Sequence, residues 1–553
     1  IKNKDHSLNM LLGHEYIITK EHENINQIVG FPKTYDAATA WRLSSQGTAS
    51  GTSDFYSPDD KLLSFFSRAN YSYKDKYLAS VTFRADASSK FSKENRWGYF
   101  PSAALAWRIT SEKFMNSTKK WLDDLKLRLS FGTAGNNNIP SGQLIQEYMT
   151  YSATSSQRTW VNGFTTLLRP SNFMANPNLK WETTITRNIG LDWTLFNGKL
   201  NGSFEFYKNT TKDLLIAFPV SGTGYEFQYR NLGKTQNSGF ETTFTWHVVN
   251  KKNWGIDLSG NINFNRNKII QLGIKDYYND THWASSEIDP EYVVAVGGRV
   301  GEIVGYQNAG RYEVSDFTGY NASTDKWTLK DGVDDATAII GKLRPGALKL
   351  KDQDGDHKVT ASDKVKIGDV TPDCFGGFNI NARVYNFDLS AQFNYSIGNQ
   401  EYNANKIEYT TTGKYIYRNM IDVMKEGKRW TNLDPETGLL SNDPDRLAKL
   451  NEHTTMWSPY MSKMVLTDWA IEDASFLRLN TLTIGYTLPN HLTHRGINSL
   501  RVYCTGYNLF TITGYSGFDP EADTFRKTAL TPNVDYSAYP KSRSFVIGLN
   551  LNF

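Results

Sequence analysis

A twelve-residue acidic stretch, DQDGDHKVTASD, is the part of the sequence best suited to metal chemistry. Its aspartates fall at positions 1, 3, 5 and 12 of a calcium-binding loop, and a backbone carbonyl would serve at position 7. Calcium takes six to eight hard oxygen ligands, which carboxylates and carbonyls at this spacing can supply. The predicted ligands are Asp352, Asp354, Asp356, Asp363 and the carbonyl of Lys358.

Two residues in this stretch depart from the usual calcium loop. His357 occupies the position that normally holds glycine, and Asp363 is shorter than the bidentate glutamate that usually closes the loop. The alternative interpretation is an acidic, solvated turn built on Gly355. Both interpretations remain open from the sequence, and neither gives the loop a catalytic role.

Residue patterns typical of enzymes are missing from the sequence. There is no phosphate-binding glycine loop, nucleophile elbow or H-E-x-x-H pattern. Adjacent acids such as Glu472 and Asp473 carry little weight among 57 Asp and Glu residues, because a glycosidase dyad requires a defined separation in space. We therefore expect no enzyme activity.

Tryptophans stand among asparagine, aspartate and tyrosine in the segments that lack a regular apolar pattern. Aromatic rings beside amides can bind sugars or peptides, whereas packing of these segments on one another explains the same residues equally well. The tryptophans concerned are Trp41, Trp97, Trp160, Trp283, Trp327, Trp430 and Trp457.

Charge and cysteine content exclude several classes of protein. The net charge is +4 over 553 residues and no basic block stands out, so we expect no nucleic-acid partner. Two cysteines, Cys374 and Cys504, allow neither a disulfide framework nor a thiolate metal site. No apolar run reaches eighteen residues, so no transmembrane helix is predicted. The first residues read as the interior of a longer protein rather than as a signal peptide.

Apolar and polar residues alternate with the period of a β-strand along nearly the whole chain. In LKLRLSFG, for example, Leu125, Leu127, Leu129 and Phe131 alternate with polar residues. About fourteen strands are predicted by this period, and long helices are not supported. The strands lie near 8–20, 61–73, 76–87, 98–110, 125–131, 180–196, 199–212, 230–249, 254–264, 374–385, 388–398, 476–489, 499–513 and 542–553.

The connections between the predicted strands alternate between short and long, although 87–97 is intermediate in length and 111–123 is an irregular member of the short set. A β-sandwich would explain the apolar alternation of any one strand, but it has no reason to keep this rhythm. An up-and-down barrel in an outer membrane has short turns at one rim and long loops at the other. The fold class expected is therefore all-β, a transmembrane antiparallel β-barrel. The long loops lie at about 21–60, 135–179, 213–229, 269–373, 399–475 and 514–541.

The aromatic content, 14% of residues, fits the same interpretation. Tyrosine and tryptophan collect where lipid meets headgroups, because their rings are apolar and their tips polar. Candidate girdle residues near the ends of predicted strands are Trp181, Trp193, Trp246, Trp254, Tyr486 and Tyr515. The alternative is that these side chains belong to an ordinary core.

Several longer segments resemble the C-terminal barrel portion of the SusC/RagA family of TonB-linked outer-membrane transporters. They recur in family order from roughly residue 60 to the end of the chain. The segments are NPNLKWETTITRNIGLDWTLFNGKLNGSFEFYKNTTKDLL, NLGKTQNSGFE, PDCFGGFNINARVYNFDLSAQFNYSIGNQEYN, ASFLRLNTLTIGYTLP, NLFTITGYSGFDPEAD and the terminal SFVIGLNLNF. The loop at 352–363 also resembles an acidic insertion that is common in this family.

The resemblance implies a barrel of about 22 strands filled by an N-terminal plug. About fourteen strands cannot close such a barrel, so we expect the plug and the remaining strands on the same or another chain. The resemblance also implies a SusD-like surface lipoprotein over the long loops, and TonB acting through a segment outside this chain. Lipid and lipopolysaccharide would surround the wall, with the C-terminal strand 544–553 ending in the periplasm.

Three functional hypotheses follow. The leading one is TonB-dependent import of an oligosaccharide or peptide across the bacterial outer membrane. The second is a barrel that serves as a docking or assembly component of a larger outer-membrane complex. The third, and weakest, is a soluble calcium-binding β-sandwich adhesin.

Overall fold

Neighbouring segments of apolar alternation pair into one large antiparallel sheet, as seen in a computed structural model of the chain. Residues described by the structure are 3–56, 59–140, 142–144, 148–151, 160–161, 164–165, 167–170, 173–220, 222, 225–273, 277–279, 288, 290–413, 417–461, 463–489, 491–492, 496–524 and 530–553.

The large sheet contains fourteen strands, and each strand neighbours the next one along the chain. The strands are β1 His6–Thr19, β2 Asp60–Tyr73, β3 Tyr77–Ser88, β4 Trp97–Arg108, β5 Leu122–Asn136, β6 Glu182–Leu195, β7 Leu200–Lys212, β8 Lys234–Asn250, β9 Trp254–Gln271, β10 Cys374–Val384, β11 Phe387–Ile397, β12 Phe476–Thr487, β13 Ser499–Thr513 and β14 Ser544–Asn552.

The predicted strands are confirmed in number and in order. Two of them run further than the apolar pattern indicated: β5 continues to Asn136 and β9 to Gln271. Backbone hydrogen bonds, rather than apolar side chains, define a strand, so pairing can continue where the alternation has ended.

Short and long connections alternate as predicted, apart from the two that flank β4: 89–96 is brief where a long connection is expected, and 109–121 is longer than the other short ones. The hairpin turns at 74–76, 196–199, 251–253 and 385–386 each join two long strands directly. Lys74 and Asp75 both have positive φ, 53° and 52°, which matches the right-handed twist of the strands they join. The long connections instead contain short strands and helices of their own.

The chain divides into two compact units. The first comprises residues 1–117, 124–191 and 207–236, and it includes strands β1 to β5. Its buried cluster contains Phe100 of β4 together with Phe91, Ile139, Leu179 and Trp181 from the connections. Its other strands are His22–Val29, Thr48–Tyr56, Tyr148–Tyr151, Trp160–Val161, Phe164–Thr165, Leu167–Pro170, Leu215–Pro219 and Phe227–Asn231. It also contains the helix Ala37–Arg42 and the 3₁₀ turns Ser44–Gln46, Ile109–Ser111 and Lys113–Thr118. The last residue of the third turn, Thr118, belongs to the second unit.

The second unit comprises residues 118–123, 192–206 and 237–553, and it includes strands β9 to β14. Its long connections contain the strands Tyr277–Asn279, Tyr292–Val294, Glu302–Gly305, Asn308–Arg311, Phe317–Asn321, Lys326–Leu329, Leu348–Leu350, Val365–Asp369, Gln400–Asn403, Ile471–Asp473 and Val534–Asp535. Its helices are Thr337–Ile340, Ala404–Glu408 and Pro444–Leu450, with 3₁₀ turns Val314–Asp316, Ala361–Asp363, Asp422–Met424 and Asp468–Ala470.

The connections of the second unit build a folded body with its own hydrophobic cores. One core surrounds Tyr312 and Trp430, and a second surrounds Tyr292, Tyr402 and Val534. Most fully buried large side chains of the described chain lie in these two cores, not on the long strands. None of the helices in the described part of the chain has the length and apolarity that crossing a membrane requires.

Aromatic rings follow one another across neighbouring strands of the second unit. Trp193, Phe204, Phe240 and Phe264 form a row with ring centroids 5.8, 6.2 and 6.4 Å apart, in which the three phenylalanines are exposed and Trp193 is half-buried. Such a row on an exposed face is typical of a surface that meets lipid.

The other candidate girdle residues divide into three groups. Tyr486 on β12 is half-buried, with its ring centroid 4.6 Å from that of Phe387. Trp246 and Trp254 are exposed beside a short turn, as a girdle requires. Trp181 and Tyr515 are buried, so the prediction was wrong for these two. Both lie just beyond the end of a long strand, where the folded connections cover them.

Strand β10 approaches its neighbour β9 closely at Gly376. A Cβ atom there would lie 2.2 Å from the backbone oxygen of Asn261 and 2.9 Å from the Tyr395 hydroxyl. We expect Gly376→Ala to destabilise the full-length protein by about 1–3 kcal/mol, because a strand backbone cannot yield to an added methyl. Gly319→Ala is the control, since nothing lies within 4 Å of its added Cβ. Heat-dependent gel mobility and melting temperature measure the effect, and equal behaviour of the two variants would contradict it.

Candidate functional site

The backbone of the acidic stretch curls around the carboxylate of Asp352. Its Oδ1 accepts from the N–H groups of Asp354, at 3.0 Å, and Gly355, at 2.9 Å, and its Oδ2 accepts from that of His357, at 2.7 Å. These hydrogen bonds, of which the one from Gly355 has the largest effect, hold the pKa of Asp352 below its usual value. The turn is therefore organised by its first aspartate.

Three of the predicted ligands are brought together. Carboxylate oxygens of Asp352, Asp354 and Asp356 lie within 4.8 Å of one another. A hydrogen bond from Asp356 lowers the pKa of Asp354, but burial and the charges of the neighbouring carboxylates outweigh it, so that pKa is raised. A cation placed among the three would relieve this repulsion.

The other two predicted ligands are used differently. Asp363 is buried, and its two oxygens accept from the backbone N–H groups of Gln353 and Thr360, each at 2.8 Å. Lys358 donates its backbone N–H to Asp356 Oδ1 at 2.7 Å and pairs with Asp335 in an isolated β-bridge. Asp363 thus caps the turn Ala361–Asp363 and lies outside the group of three.

His357 takes the backbone conformation expected of the glycine it replaces, with φ at 60°. Its Nδ1 lies 2.9 Å from Asp334 Oδ1, and this contact raises the pKa of His357 above its usual value. The donor set of hard carboxylate oxygens fits calcium, with Asp352, Asp354 and Asp356 as its core. Asp363 would join them only by releasing its two backbone partners.

A second concentration of polar side chains surrounds the three-stranded sheet formed by Gln400–Asn403, Ile471–Asp473 and Val534–Asp535. Glu401 is paired with Glu472 in the register of this sheet, so their side chains share a face. Glu401 is fully buried, and neither of its carboxylate oxygens has a hydrogen-bond partner among the described residues. Burial, followed by the charges of Asp535, Asp523 and Asp519, raises the pKa of Glu401 to about 10.

Glu472 has the opposite environment on the same face. Its Oε1 accepts from Asn403 Nδ2 at 2.9 Å and from the Ser516 hydroxyl at 2.8 Å, and its Oε2 accepts from the Ser516 N–H at 3.1 Å. Lys406 Nζ lies 3.5 Å from the same carboxylate. Glu472 therefore ties the segment after β13 to the helix Ala404–Glu408.

A buried guanidinium anchors the same segment from the other side. Arg478 on β12 is 3% exposed and lies 2.6 Å from Asp519 and 2.8 Å from Glu521. Lys541 Nζ lies 2.7 Å from Glu521, so the end of the connection is held as well. Breaking a buried pair of this kind costs far more than breaking a surface pair, because one charge is left without compensation.

A cavity of about 730 Å³ opens beside these anchors. Its polar lining includes Asn403, Asn405 and Lys406, and its aromatic lining includes Phe518 and Tyr539. The volume lies in the range of pockets that hold small molecules or a few sugar units. Phe518 and Tyr539 are 82% and 91% exposed, which is unusual for large rings.

The tryptophans singled out in the sequence have mostly structural positions. Trp327, Trp430 and Trp457 are buried in one core, so packing explains them rather than ligand contact. Trp97 lies on β4 and Trp41 in a short helix, both exposed. Trp160 lies in a short strand, and Trp283 lies outside the described residues.

The aromatic residues of the cavity were not predicted. Phe518 follows Tyr515, Ser516 and Gly517 within the segment NLFTITGYSGFDPEAD, and Tyr539 stands beside Pro540. The available signal was a large ring beside a turn-forming residue, Gly517 before Phe518 and Pro540 after Tyr539, outside the predicted strands.

Comparison with known proteins gives one consistent family. The family model described as TonB dependent receptor-like, beta-barrel matches residues 3–337. The TonB-dependent receptor SusC of Bacteroides thetaiotaomicron is 30% identical over 507 residues, which cover 90% of this chain and 44% of SusC. TonB-dependent receptor P3 of Formosa agariphila is 29% identical over 562 residues, covering 99% of this chain and 51% of that receptor.

Solved structures give the same fold. The RagAB peptide transporter matches with a TM-score of 0.73 and 25% identity, over 100% of this chain and 54% of that one. The RagAB peptide importer in its open-open state matches with a TM-score of 0.71 and 27% identity, over 100% and 53%. The chain spans about half the length of the curated relatives it matches.

The raised pKa of Glu401 makes stability depend on pH. The folded chain keeps the proton while the unfolded chain releases it near pH 4.5, so stability declines as pH rises from there towards about 10. Glu401→Gln should therefore match the wild type near pH 4.5 and exceed it increasingly above, by up to about 1.4 kcal/mol per pH unit. Thermal unfolding followed by tryptophan fluorescence measures this, with the exposed Glu426→Gln as control. Parallel profiles for Glu401→Gln and wild type would contradict it.

Proposed function

We propose, because the chain belongs to the family of TonB dependent receptor-like β-barrels, that it is part of an active importer of nutrients. The chain is a protein of the bacterial outer membrane, and its fourteen-stranded antiparallel sheet is barrel wall. A soluble β-sandwich adhesin is excluded by this fold. Family members are receptors and transporters, so the proposed work is movement of a solute rather than chemical conversion.

The folded body built by the connections of the second unit carries this proposal. Its two hydrophobic cores, together with the ion pair between Arg478 on β12 and Asp519, hold the cavity residues in place. A preorganised cavity of about 730 Å³ among the connections suits capture of a solute before it is moved. The substrate proposed is an oligosaccharide or a peptide.

The partners proposed follow from the relatives. One relative is named SusC and two structural matches are RagAB assemblies, described as a peptide transporter and a peptide importer. By analogy, a SusD-like lipoprotein would cover the long connections from outside the cell, with the C-terminal strand ending in the periplasm. TonB would act through a plug, and lipid and lipopolysaccharide would surround the wall.

Deletion of the gene should abolish or slow growth on one nutrient class while leaving growth on glucose unchanged. Growth is compared on neutral polysaccharides, on an acidic polysaccharide such as polygalacturonate, and on casein peptides. Plasmid-borne wild type should restore growth, and a TonB-deficient strain should show the same loss. A deletion strain that grows normally on every nutrient, but loses an outer-membrane partner protein, would instead support the docking or assembly hypothesis.

We further propose that the turn at 352–363 binds calcium through Asp352, Asp354 and Asp356, with the Lys358 carbonyl and Asp363 completing the site. Three convergent carboxylates with mutual repulsion support this proposal. The cation would order a connection that carries one of the hydrophobic cores, so its role would be structural.

Calcium should therefore raise the melting temperature of the purified full-length protein, and a chelator should reverse the rise. Asp352→Asn combined with Asp354→Asn should abolish the response, whereas the exposed Asp331→Asn should keep it. Acidification through the raised pKa of His357 should weaken the response, because the imidazolium adds positive charge beside the site. An equal melting temperature with calcium and with chelator would rule out the site.

A further inference from the structure

The cavity beside the three-stranded sheet has two aromatic rings that the protein holds outward. Phe518 lies in the connection between β13 and β14, and Tyr539 lies later in the same connection. Both line the cavity, and both leave most of their surface in solvent. Exposed rings of this size have a free-energy cost that a partner or ligand can recover.

The segment that carries Phe518 is fixed at several points. Tyr515 is buried and donates its hydroxyl to Asp535 Oδ2 at 2.8 Å, and Ser516 is bound to Glu472. Directly after Phe518, Asp519 is bound by the buried Arg478 at 2.6 Å. Phe518 is therefore the exposed residue of an anchored turn, and little conformational entropy is lost when a ligand covers its ring.

The segment that carries Tyr539 is fixed as well. Ser537 has a φ of 55° and donates its backbone N–H to Asn405 Oδ1 at 2.9 Å. Asp535 Oδ1 accepts from the N–H of Ala538 at 3.4 Å. The two exposed rings are thus held beside one cavity by separate sets of hydrogen bonds.

The charged groups around the cavity indicate what kind of ligand would fit. Lys406 is the one basic residue of the cavity lining among the described residues, and it is already engaged. Its Nζ lies 4.1 Å from the centroid of the Trp469 ring and 3.5 Å from Glu472. Burial, stronger than the charge of Glu472, lowers its pKa. An anionic ligand would find no available cation in the described lining.

Two groups of the cavity lining, the Asp422 carboxylate and the Tyr539 hydroxyl, are exposed and can form hydrogen bonds with a ligand. The carboxylate of Asp422 is 83% exposed, with Lys425 3.7 Å away, and the Tyr539 hydroxyl is on an exposed ring. A carboxylate and a phenol accept hydrogen bonds from hydroxyl groups, while aromatic rings stack on the apolar faces of pyranose sugars. A neutral sugar needs no counter-charge from a lining whose acidic residues are Asp422 and Asp535 and whose basic residue, Lys406, is already engaged.

We propose that this cavity binds a segment of a neutral oligosaccharide, with Phe518 and Tyr539 stacking on sugar rings and Asp422 accepting from sugar hydroxyls. The proposal rests on the proposed import function and narrows its substrate to neutral glycans. The anchored rings would capture the chain of sugars at the outer end of the transport path.

The test uses the full-length protein and the nutrient found by the growth screen. The matching hexasaccharide (maltohexaose, xylohexaose or mannohexaose) is titrated into purified protein by calorimetry, with hexagalacturonate and a casein peptide as competitors. Phe518→Ala combined with Tyr539→Ala should weaken binding about tenfold or more, because two stacking contacts are lost. Tyr417→Ala removes a ring that is 96% exposed and absent from the cavity lining, and it should bind like wild type.

The growth screen and the binding measurements together distinguish failure of this proposal from failure of the import function on which it rests. A neutral glycan as nutrient, with binding lost in the double variant and kept in Tyr417→Ala, supports it. If the nutrient is a peptide or an acidic glycan, the neutral-glycan proposal is overturned while the import function stands. The same holds if the double variant still binds the neutral glycan like wild type. If the deletion strain grows normally on every nutrient, the import function itself is overturned. Equal melting temperatures of wild type and double variant confirm that the binding change is local.

Discussion

Backbone hydrogen bonding is the constraint on which the rest of this structure depends. A strand in lipid has no water to satisfy its N–H and C=O groups, so each must pair with a neighbouring strand. In this chain each long strand pairs with the next one in sequence, antiparallel throughout. Antiparallel neighbours send successive connections to opposite ends of the strands. Turns and long connections therefore separate, and the long ones can fold together.

That separation produces two kinds of environment in one chain. The long strands keep many large apolar side chains exposed, as on β14, where Phe545, Ile547 and Leu549 face outward. The connections of the second unit bury their apolar residues in closed cores and shield ionisable groups such as Arg478 and Glu401 from solvent. A buried charge needs fixed partners, and Asp519 and Glu521 in the connection after β13 supply them for Arg478. Chemistry that recognises a solute is accordingly expected in the connections.

Local patterns were predictable where the physical cause is local. Strand period appears directly in the alternation of residues such as Leu125, Leu127 and Leu129, because side chains of a strand point alternately to two faces. The curl of the turn around Asp352 was also predictable, since its hydrogen bonds span a few residues. The capture of Asp363 by Gln353 and Thr360 was not, because a twelve-residue spacing fits both a metal ligand and a backbone cap.

The all-β class, the number and order of the long strands, the rhythm of most connections and the family can all be predicted from the amino-acid sequence. These properties follow from periodicity and from motifs that survive without knowledge of distant contacts. Which aromatic residues are buried and which are exposed depends instead on tertiary contacts. Trp430 and Phe518 are alike in the sequence as large rings within long connections, yet one fills a core and the other lines a cavity. The difference arises from contacts between residues far apart in the chain, such as the ion pair of Arg478 with Asp519. No local sequence pattern specifies such contacts.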